Sequence, residues 1–374
     1  MATVPLSNVR NSKAEAISRW DWWLVLAVIT LLLFGLMSLF SIEHGGGASQ
    51  FKKQLVSVAI GVVPFAIFAF VNPEFWKRIA NALYCLSVLV LASIFVIGEE
   101  IKGARRWIDI GPLQFQPSEI AKLFLILTLA TFFINRRDRI DTFSTFALSL
   151  LHLALPLALV FKQPHLGASL VLLTIWLSIS LAAGVRLRFL VGTVVAALSF
   201  LGLAFTIPGV MSDYQRKRVI GMFVDDTKGN TYQPDRAKIA FGVGGLTGTG
   251  YLKGQVKPGG FVPEQHNDFI FTVVGEEGGL VGCTLVLAAF GLLFFRLWLI
   301  MFRAAEPYYR MIAAGILGLL AFHTIANLGM NVGLLPVVGL WLPLMSSGGT
   351  ATWLCLALIG LALNVQSRHR EQMF

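Results

Sequence analysis

Phe261–Gly279 reads FVPEQHNDFIFTVVGEEGG, a polar loop that runs directly into an apolar segment. His266, Asn267 and Asp268 stand against Phe269, Ile270 and Phe271, and Glu276 and Glu277 follow within about two helical turns. An ionisable side chain at or just inside a bilayer boundary is costly, so its presence there points to function. Asp268 is the leading candidate, because it sits where a long polar loop meets the membrane.

The apolar half of that stretch is one of many. Of 374 residues, 56% are hydrophobic and 13% charged, about half the charged share of soluble domains. Runs near 20 apolar residues recur along the chain, which predicts an all-α polytopic membrane protein. About ten spans are expected: Trp22–Ser41, Leu55–Val71, Ile79–Gly98, Ser118–Ile134, Phe143–Phe161, Leu166–Gly184, Phe189–Ile207, Gly275–Phe302, Met311–Leu335 and Thr350–Gln366. The intervals between them leave no room for a soluble domain. Residues 1–374 therefore read as a single integral membrane domain, with tails at 1–20 and 367–374 and a large loop at 208–271.

Short-loop Lys and Arg set the orientation. Arg10, Lys13, Arg19, Lys77, Arg78, Arg136, Arg137, Arg139, Arg186, Arg188, Arg303, Arg310, Arg368 and Arg370 fall on one side. Lys52, Lys53, Lys102, Arg105, Arg106 and Lys162 fall on the other. This bias predicts that both termini are cytoplasmic, and accounts for most of the +10 net charge without a nucleic-acid partner. The first twenty residues read as a cytoplasmic tail rather than a cleaved leader. Cys85, Cys283 and Cys355 lie in apolar spans without paired spacing, as small buried side chains.

The polar clusters each admit two readings. Ser118, Glu119 and Lys122 open the fourth span, where Ser118 suits a cap, Glu119 the positive helix end, and Glu119–Lys122 an i,i+3 pair. Lys122, a cation one turn into a bilayer helix, is harder to explain that way. Arg105 and Arg106, beside Lys102 and Trp107, suit either a lipid phosphate or ordinary snorkelling at the interface. Arg216, with Lys217, Arg218, Lys238, Lys253 and Lys257, suggests a polyanionic ligand or a solvated segment. Asp268 is either the cap of the eighth span or a general base oriented by His266 and Asn267. Glu276 and Glu277 either join that site or face polar neighbours in the bundle. Pro336–Thr350, PVVGLWLPLMSSGGT, is too apolar for a loop and too broken for a span. It reads as a re-entrant segment lining a cavity, or as an interfacial turn anchored by Trp341.

Five motifs, GARRWIDIGPLQFQPSEIAK (103–122), QPHLGASL (163–170), GVGGLTGTG (242–250), the opening stretch (261–279) and NLGMNVGLLPVVGLWLPLMSSGG (327–349), together resemble the SEDS family of shape, elongation, division and sporulation proteins, which includes RodA, FtsW and SpoVE. The short N-terminus and TGYLKGQVKPGGFVPEQHNDFIF are more similar to RodA than to FtsW. The resemblance implies a peptidoglycan glycosyltransferase that polymerises lipid II into glycan strands at the outer face of the bacterial inner membrane during elongation. It implies a class B penicillin-binding protein as partner, with other elongation-complex membrane proteins. It also implies that Asp268 is the essential acid, Glu119 and Lys122 the fourth-helix pair, and Arg105 and Arg106 the basic outer motif. The chain departs from the family pattern at His165, where an acid is usual, and at Asp235–Lys238, Gly278, Ser347 and Thr350.

The implied reaction takes a proton from the acceptor hydroxyl and stabilises a pyrophosphate leaving group, a role for Lys122, Arg105, Arg106, Arg216 or Lys238. No dedicated metal-ligand set is evident, and a divalent ion such as Mg2+ or Mn2+ remains open as a further source of positive charge. The rival readings are a flippase for a lipid-linked precursor and a non-catalytic scaffold for the penicillin-binding protein.

Overall fold

The computed structural model describes residues 17–44, 49–101, 104–110, 113–206, 232–255 and 261–371. Twelve α-helices are assigned among them: α1 (Trp22–Ile42), α2 (Ser49–Phe70), α3 (Pro73–Arg78), α4 (Ala80–Ile97), α5 (Pro117–Ile134), α6 (Phe143–Lys162), α7 (Leu166–Ala183), α8 (Leu187–Thr206), α9 (Tyr232–Gly244), α10 (Phe271–Arg303), α11 (Pro307–Asn331) and α12 (Gly349–Glu371). Nine of these are long and apolar enough to cross a membrane. In the position of the expected seventh span, α8 carries only a shorter apolar stretch, Leu187–Phe200. The protein is thus an all-α polytopic membrane protein.

The bundle has an inside and an outside. The spanning windows of α5 and α12 are 78% and 89% buried, whereas those of α2, α4 and α10 are 28% buried. Outward residues of the peripheral helices, such as Leu33, Val62, Leu89 and Leu198, are large and apolar. That pattern is expected where the surrounding solvent is hydrocarbon.

Local sequence explains where the helices begin and end. α2 starts earlier than its apolar run, because the Glu43 carboxylate accepts from the amides of Gln50 (2.8 Å) and Phe51 (3.0 Å) at its first turn. Pro117 opens α5, with Gln116 in the capping position. Ser118 therefore lies inside the helix and is not its cap. α10 begins at Phe271 after Ile270, so Asp268 does not cap that helix either. α11 stops at Asn331, short of the expected Leu335, where Gly333 adopts φ 77°. Between α4 and α5 lies a small antiparallel sheet, β1 (Glu99–Ile101), β2 (Ala104–Ile110) and β3 (Leu113–Phe115), in that order. Trp107 pairs with Glu99, and Ile108 with Phe115.

α10 has two irregular features. Its cationic Arg296 lies within a membrane-length helix and is matched by Asp21 at the start of α1. The guanidinium donates from Nε to both carboxylate oxygens (3.0 and 2.8 Å) and from Nη2 to Oδ2 (2.6 Å). A planar guanidinium and a carboxylate meet in a fork, which makes the charge tolerable in a buried setting.

The second feature is a break at Gly279, with φ 60° and ψ −157°. The carbonyls of Glu276 and Glu277 accept from the amides of Thr249 (2.9 Å) and Gly250 (3.1 Å). The amides of Leu280 and Val281 donate to the carbonyls of Gly245 (3.0 Å) and Leu246 (3.2 Å). The loop after α9 thus satisfies backbone groups that the break would otherwise leave orphaned. A Cβ at Gly248 would overlap the Glu277 carbonyl, so the approach requires glycine.

Candidate active site

The segment that carries Asp268 is a tight turn held from below. Glu264 adopts φ 53°, and its carbonyl accepts from the amides of Asn267 and Asp268, both at 3.1 Å. A non-glycine residue in the left-handed region is a strained choice that marks functional segments. Two buried amides of α11 then fix the turn: Asn327 Nδ2 and Asn331 Nδ2 each donate to the Asp268 carbonyl at 2.9 Å.

Asn327 Nδ2 also donates to the Leu340 carbonyl at 2.7 Å. The 332–348 segment is non-helical and folds back against the same turn. Ser346 Oγ donates to the Asn267 carbonyl (2.6 Å), and the Ser347 amide to the His266 carbonyl (3.0 Å). This is the expected re-entrant geometry. Trp341 is not an interfacial anchor: its ring stacks on His323 at 3.9 Å, inside the protein.

These elements enclose a cavity of about 380 Å³. Asp268, His266, Asn267 and Glu264 line one side. Arg106, Trp107, Gln114, Gln116 and His165 line another, with Trp341, Ser347 and Thr350 from the re-entrant side. Arg106 is positioned by donating from Nε to the Gln163 carbonyl (3.2 Å) and from Nη2 to the Pro164 carbonyl. Thr350 ties the far wall, accepting from the Gln116 amide and donating to the Gln114 carbonyl, both at 3.1 Å. A second lobe of about 450 Å³ shares Trp107, Gln114, His266, Asn267, Ser347 and Gly348, and adds Lys53, Gln50, Gln54, Ser57 and Asp109.

The expected site residues therefore separate. Asp268, His266, Asn267 and Arg106 converge on one cavity. Arg105, on β2, is exposed and does not line it. Lys122 and Glu119 are not among the residues that line it. Both are fully buried, and Lys122 Nζ binds Glu119 Oε1 (2.8 Å) and His323 Nε2 (3.2 Å). Lys122 Nζ lies 5.4 Å from the centre of the Trp341 ring, so this cluster supports the cavity floor from behind. Ser118 is likewise buried and off the cavity.

Glu276 and Glu277 also stand apart from the cavity. Both are buried, and Glu277 accepts from Ser41 Oγ at 2.6 Å. Lys238 is exposed on α9 and pairs with Asp235 at 3.3 Å, away from the cavity lining. Arg216 lies outside the described residues, as do Lys217, Arg218, Lys102 and Lys257.

Glu264, Gln114, Gln116, Asn327, Asn331, His323 and Lys53 were not singled out from sequence. Glu264 stood inside the quoted motif, and the signal it carried was a second carboxylate four residues before Asp268. Among the described residues, no group of three or more His, Cys, Asp or Glu side chains is placed to hold a metal ion.

The FtsW/RodA/SpoVE profile, described as a cell cycle protein, matches residues 18–371. Peptidoglycan glycosyltransferase MrdB of Escherichia coli K12 is 35% identical over 357 residues, covering 94% of this chain and 95% of its own length. A solved structure described as the structural coordination of polymerization and crosslinking by a peptidoglycan synthase complex contains a chain with a TM-score of 0.79 and 31% identity, covering 94% of this chain and 98% of that one. The rod shape determining protein RodA of Thermus thermophilus gives a TM-score of 0.70 at 29% identity, covering 95% of this chain and 98% of its own. With a profile match and similarity running along nearly its whole length, the chain belongs to the FtsW/RodA/SpoVE family of cell cycle proteins, the SEDS family that its motifs resemble.

Proposed function

We propose that the chain is a peptidoglycan glycosyltransferase of cell elongation in which Asp268 is the general base. The observation that carries this reading is the half-buried Asp268 in a polar cavity with Arg106 and Trp341 also in its wall. Relatives named peptidoglycan glycosyltransferases support the activity.

The acceptor is lipid II, attacking through the 4-hydroxyl of its N-acetylglucosamine. The donor is the growing strand, linked at its anomeric carbon to undecaprenyl pyrophosphate. The new oxygen–carbon bond forms as the carbon–phosphate oxygen bond breaks, and the hydroxyl proton passes to Asp268. A neutral hydroxyl is a poor nucleophile, so this base contributes on the order of 10²–10⁴ in rate.

The leaving pyrophosphate needs no proton, only fixed positive charge in a water-poor site. Arg106 supplies it in the Asp268 lobe, and Lys53 extends the charge into the second lobe. Lys122 acts at one remove, by holding the floor. A divalent ion such as Mg2+ or Mn2+ would add positive charge beside the pyrophosphate. We place the cavity on the outer membrane face, with both termini cytoplasmic, from the Lys and Arg distribution. We also assign a class B penicillin-binding protein as partner, which the likeness to a chain of a synthase complex supports.

The test is glycan-strand formation from labelled lipid II, with and without the class B partner, comparing wild type with Asp268→Asn. Strands from wild type alone, with both proteins equally folded, would support the assignment. Strands at equal rates from both would remove Asp268 as the base.

A further inference from the structure

We propose that a second polar cavity, at the other end of α5, binds the phosphate group of an anionic membrane lipid. α5 begins just after Gln116, in the wall of the Asp268 cavity, and runs to Ile134, a rise of about 27 Å. At its far end lies a cavity of about 440 Å³, lined by Arg136, Arg139, Asn135, Thr131, Asn81 and His152 among others. It shares no residue with the Asp268 cavity or its second lobe.

Its two arginines outnumber its one carboxylate, Asp138. Among the described residues, neither Arg136 nor Arg139 forms an ion pair. Asp138 also borders the cavity, but it is largely exposed and faces Arg137 Nε at 3.6 Å. Arg136 instead rests on the Phe132 ring at 5.1 Å. Deeper in, the walls are polar and already organised. His152 Nε2 lies 3.0 Å from Thr128 Oγ1, its ring packs on Tyr84 at 4.2 Å, and Tyr84 Oη donates to the His152 carbonyl at 3.0 Å.

Guanidinium groups match phosphate oxygens in a two-pronged geometry, and the asparagine amides and threonine hydroxyl offer further donors. The flanking helices α4 and α6 present outward Leu86, Leu89, Leu151 and Leu155, surface suited to acyl chains. With the orientation proposed above, this end faces the cytoplasmic leaflet. Anionic lipids are concentrated there and attract juxtamembrane basic residues. The shared chemistry with a soluble phosphate compound is the phosphate itself, so the test separates the two sources.

Phosphatidylglycerol is titrated into the full-length protein in phosphatidylcholine-containing micelles, with inorganic phosphate in a parallel arm. Binding is read by native mass spectrometry and thermal shift. Arg136→Gln/Arg139→Gln is compared with Arg137→Gln, which removes a neighbouring charge that does not line the cavity, and Arg139→Gln alone serves if the double variant misfolds. The expected result is phosphatidylglycerol binding weakened by about tenfold in the cavity variants, the loss of at least one charge-assisted hydrogen bond, and retained in Arg137→Gln. Stabilisation by inorganic phosphate alone, lost in the same variants, keeps the phosphate site and assigns it to a soluble anion. Equal binding by every variant, or equal loss in Arg137→Gln and Arg139→Gln, would overturn the proposal.

Discussion

Replacing Asn327 with Leu probes how the acid is held. The Asn327 amide donates to the carbonyls of Asp268 (2.9 Å) and Leu340 (2.7 Å), and its oxygen accepts from Asn331 Nδ2 (3.1 Å). In Asn327→Leu the Asp268 carbonyl keeps its bond from Asn331, also 2.9 Å. The Leu340 carbonyl, on a residue 1% exposed, loses this donor. One lost hydrogen bond at about 1 kcal/mol and one orphaned carbonyl at about 1–3 kcal/mol give about 2–4 kcal/mol of destabilisation. The same side chain joins the Asp268 turn to the wall that carries Trp341. Without it, Asp268 and the opposite wall are no longer fixed to each other, and, with Asp268 as the proposed base, a misplacement near 1 Å costs on the order of 10² in rate. Initial rates of lipid II polymerisation and thermal unfolding in detergent check this. The maximal rate should fall far more than the apparent affinity, with Tm lower by several degrees. Wild-type rate and Tm in Asn327→Leu would refute the reasoning.

Lys122→Met leaves Glu119 buried without its cation, and Tm should fall by the equivalent of about 3–5 kcal/mol, with Glu119→Gln in the same chain restoring much of it. Because Lys122 lies behind the floor, polymerisation should recover along with Tm in that double variant. A stable but inactive double variant would put Lys122 in contact with substrate. Gly279→Ala forces a side chain into φ 60° against the loop after α9, costing at least about 1–3 kcal/mol as read by thermal unfolding. Asp21→Ala strands a guanidinium that is 18% exposed, with an expected loss of about 2–4 kcal/mol, and Asp21→Ala/Arg296→Met should be the more stable of the two.

Sequence carried the bundle well and the wiring poorly. Nine spans and the re-entrant segment followed from apolar run length and from Pro and Gly positions, because lipid leaves the backbone few alternatives. Asp268 stood out because a carboxylate at a membrane mouth is costly. The Glu119–Lys122 pair was legible as an i,i+3 pair, but spacing does not reveal whether a helix turns that pair toward a cavity or toward its back. Asn327 and Asn331 were hidden in the apolar pattern of α11, where an amide gives no signal until its acceptors arrive from residues 268 and 340. The break at Gly279 was unreadable for the same reason. A glycine in an apolar run is common, and only the loop arriving from 245–250 shows that the helix changes direction there.

On the outer-face placement proposed above, a shallow seat for the Asp268 cavity would set an energetic boundary on catalysis. Trp341, in the cavity wall, lies 5.4 Å from Lys122 Nζ, and Lys122 stands little more than one turn inside α5. A polyprenyl-linked substrate keeps its phosphates at the headgroup layer and its chain among the acyl tails. Withdrawing that chain would cost about 0.8 kcal/mol for every methylene exposed to water. Under that placement, a site at headgroup depth would avoid this extraction cost: sugar and phosphate would slide sideways into the protein while the anchor stays dissolved in lipid. Turnover would then depend on lateral diffusion in the leaflet, and the surface density of lipid II, rather than its bulk concentration, would be the quantity to which the rate responds.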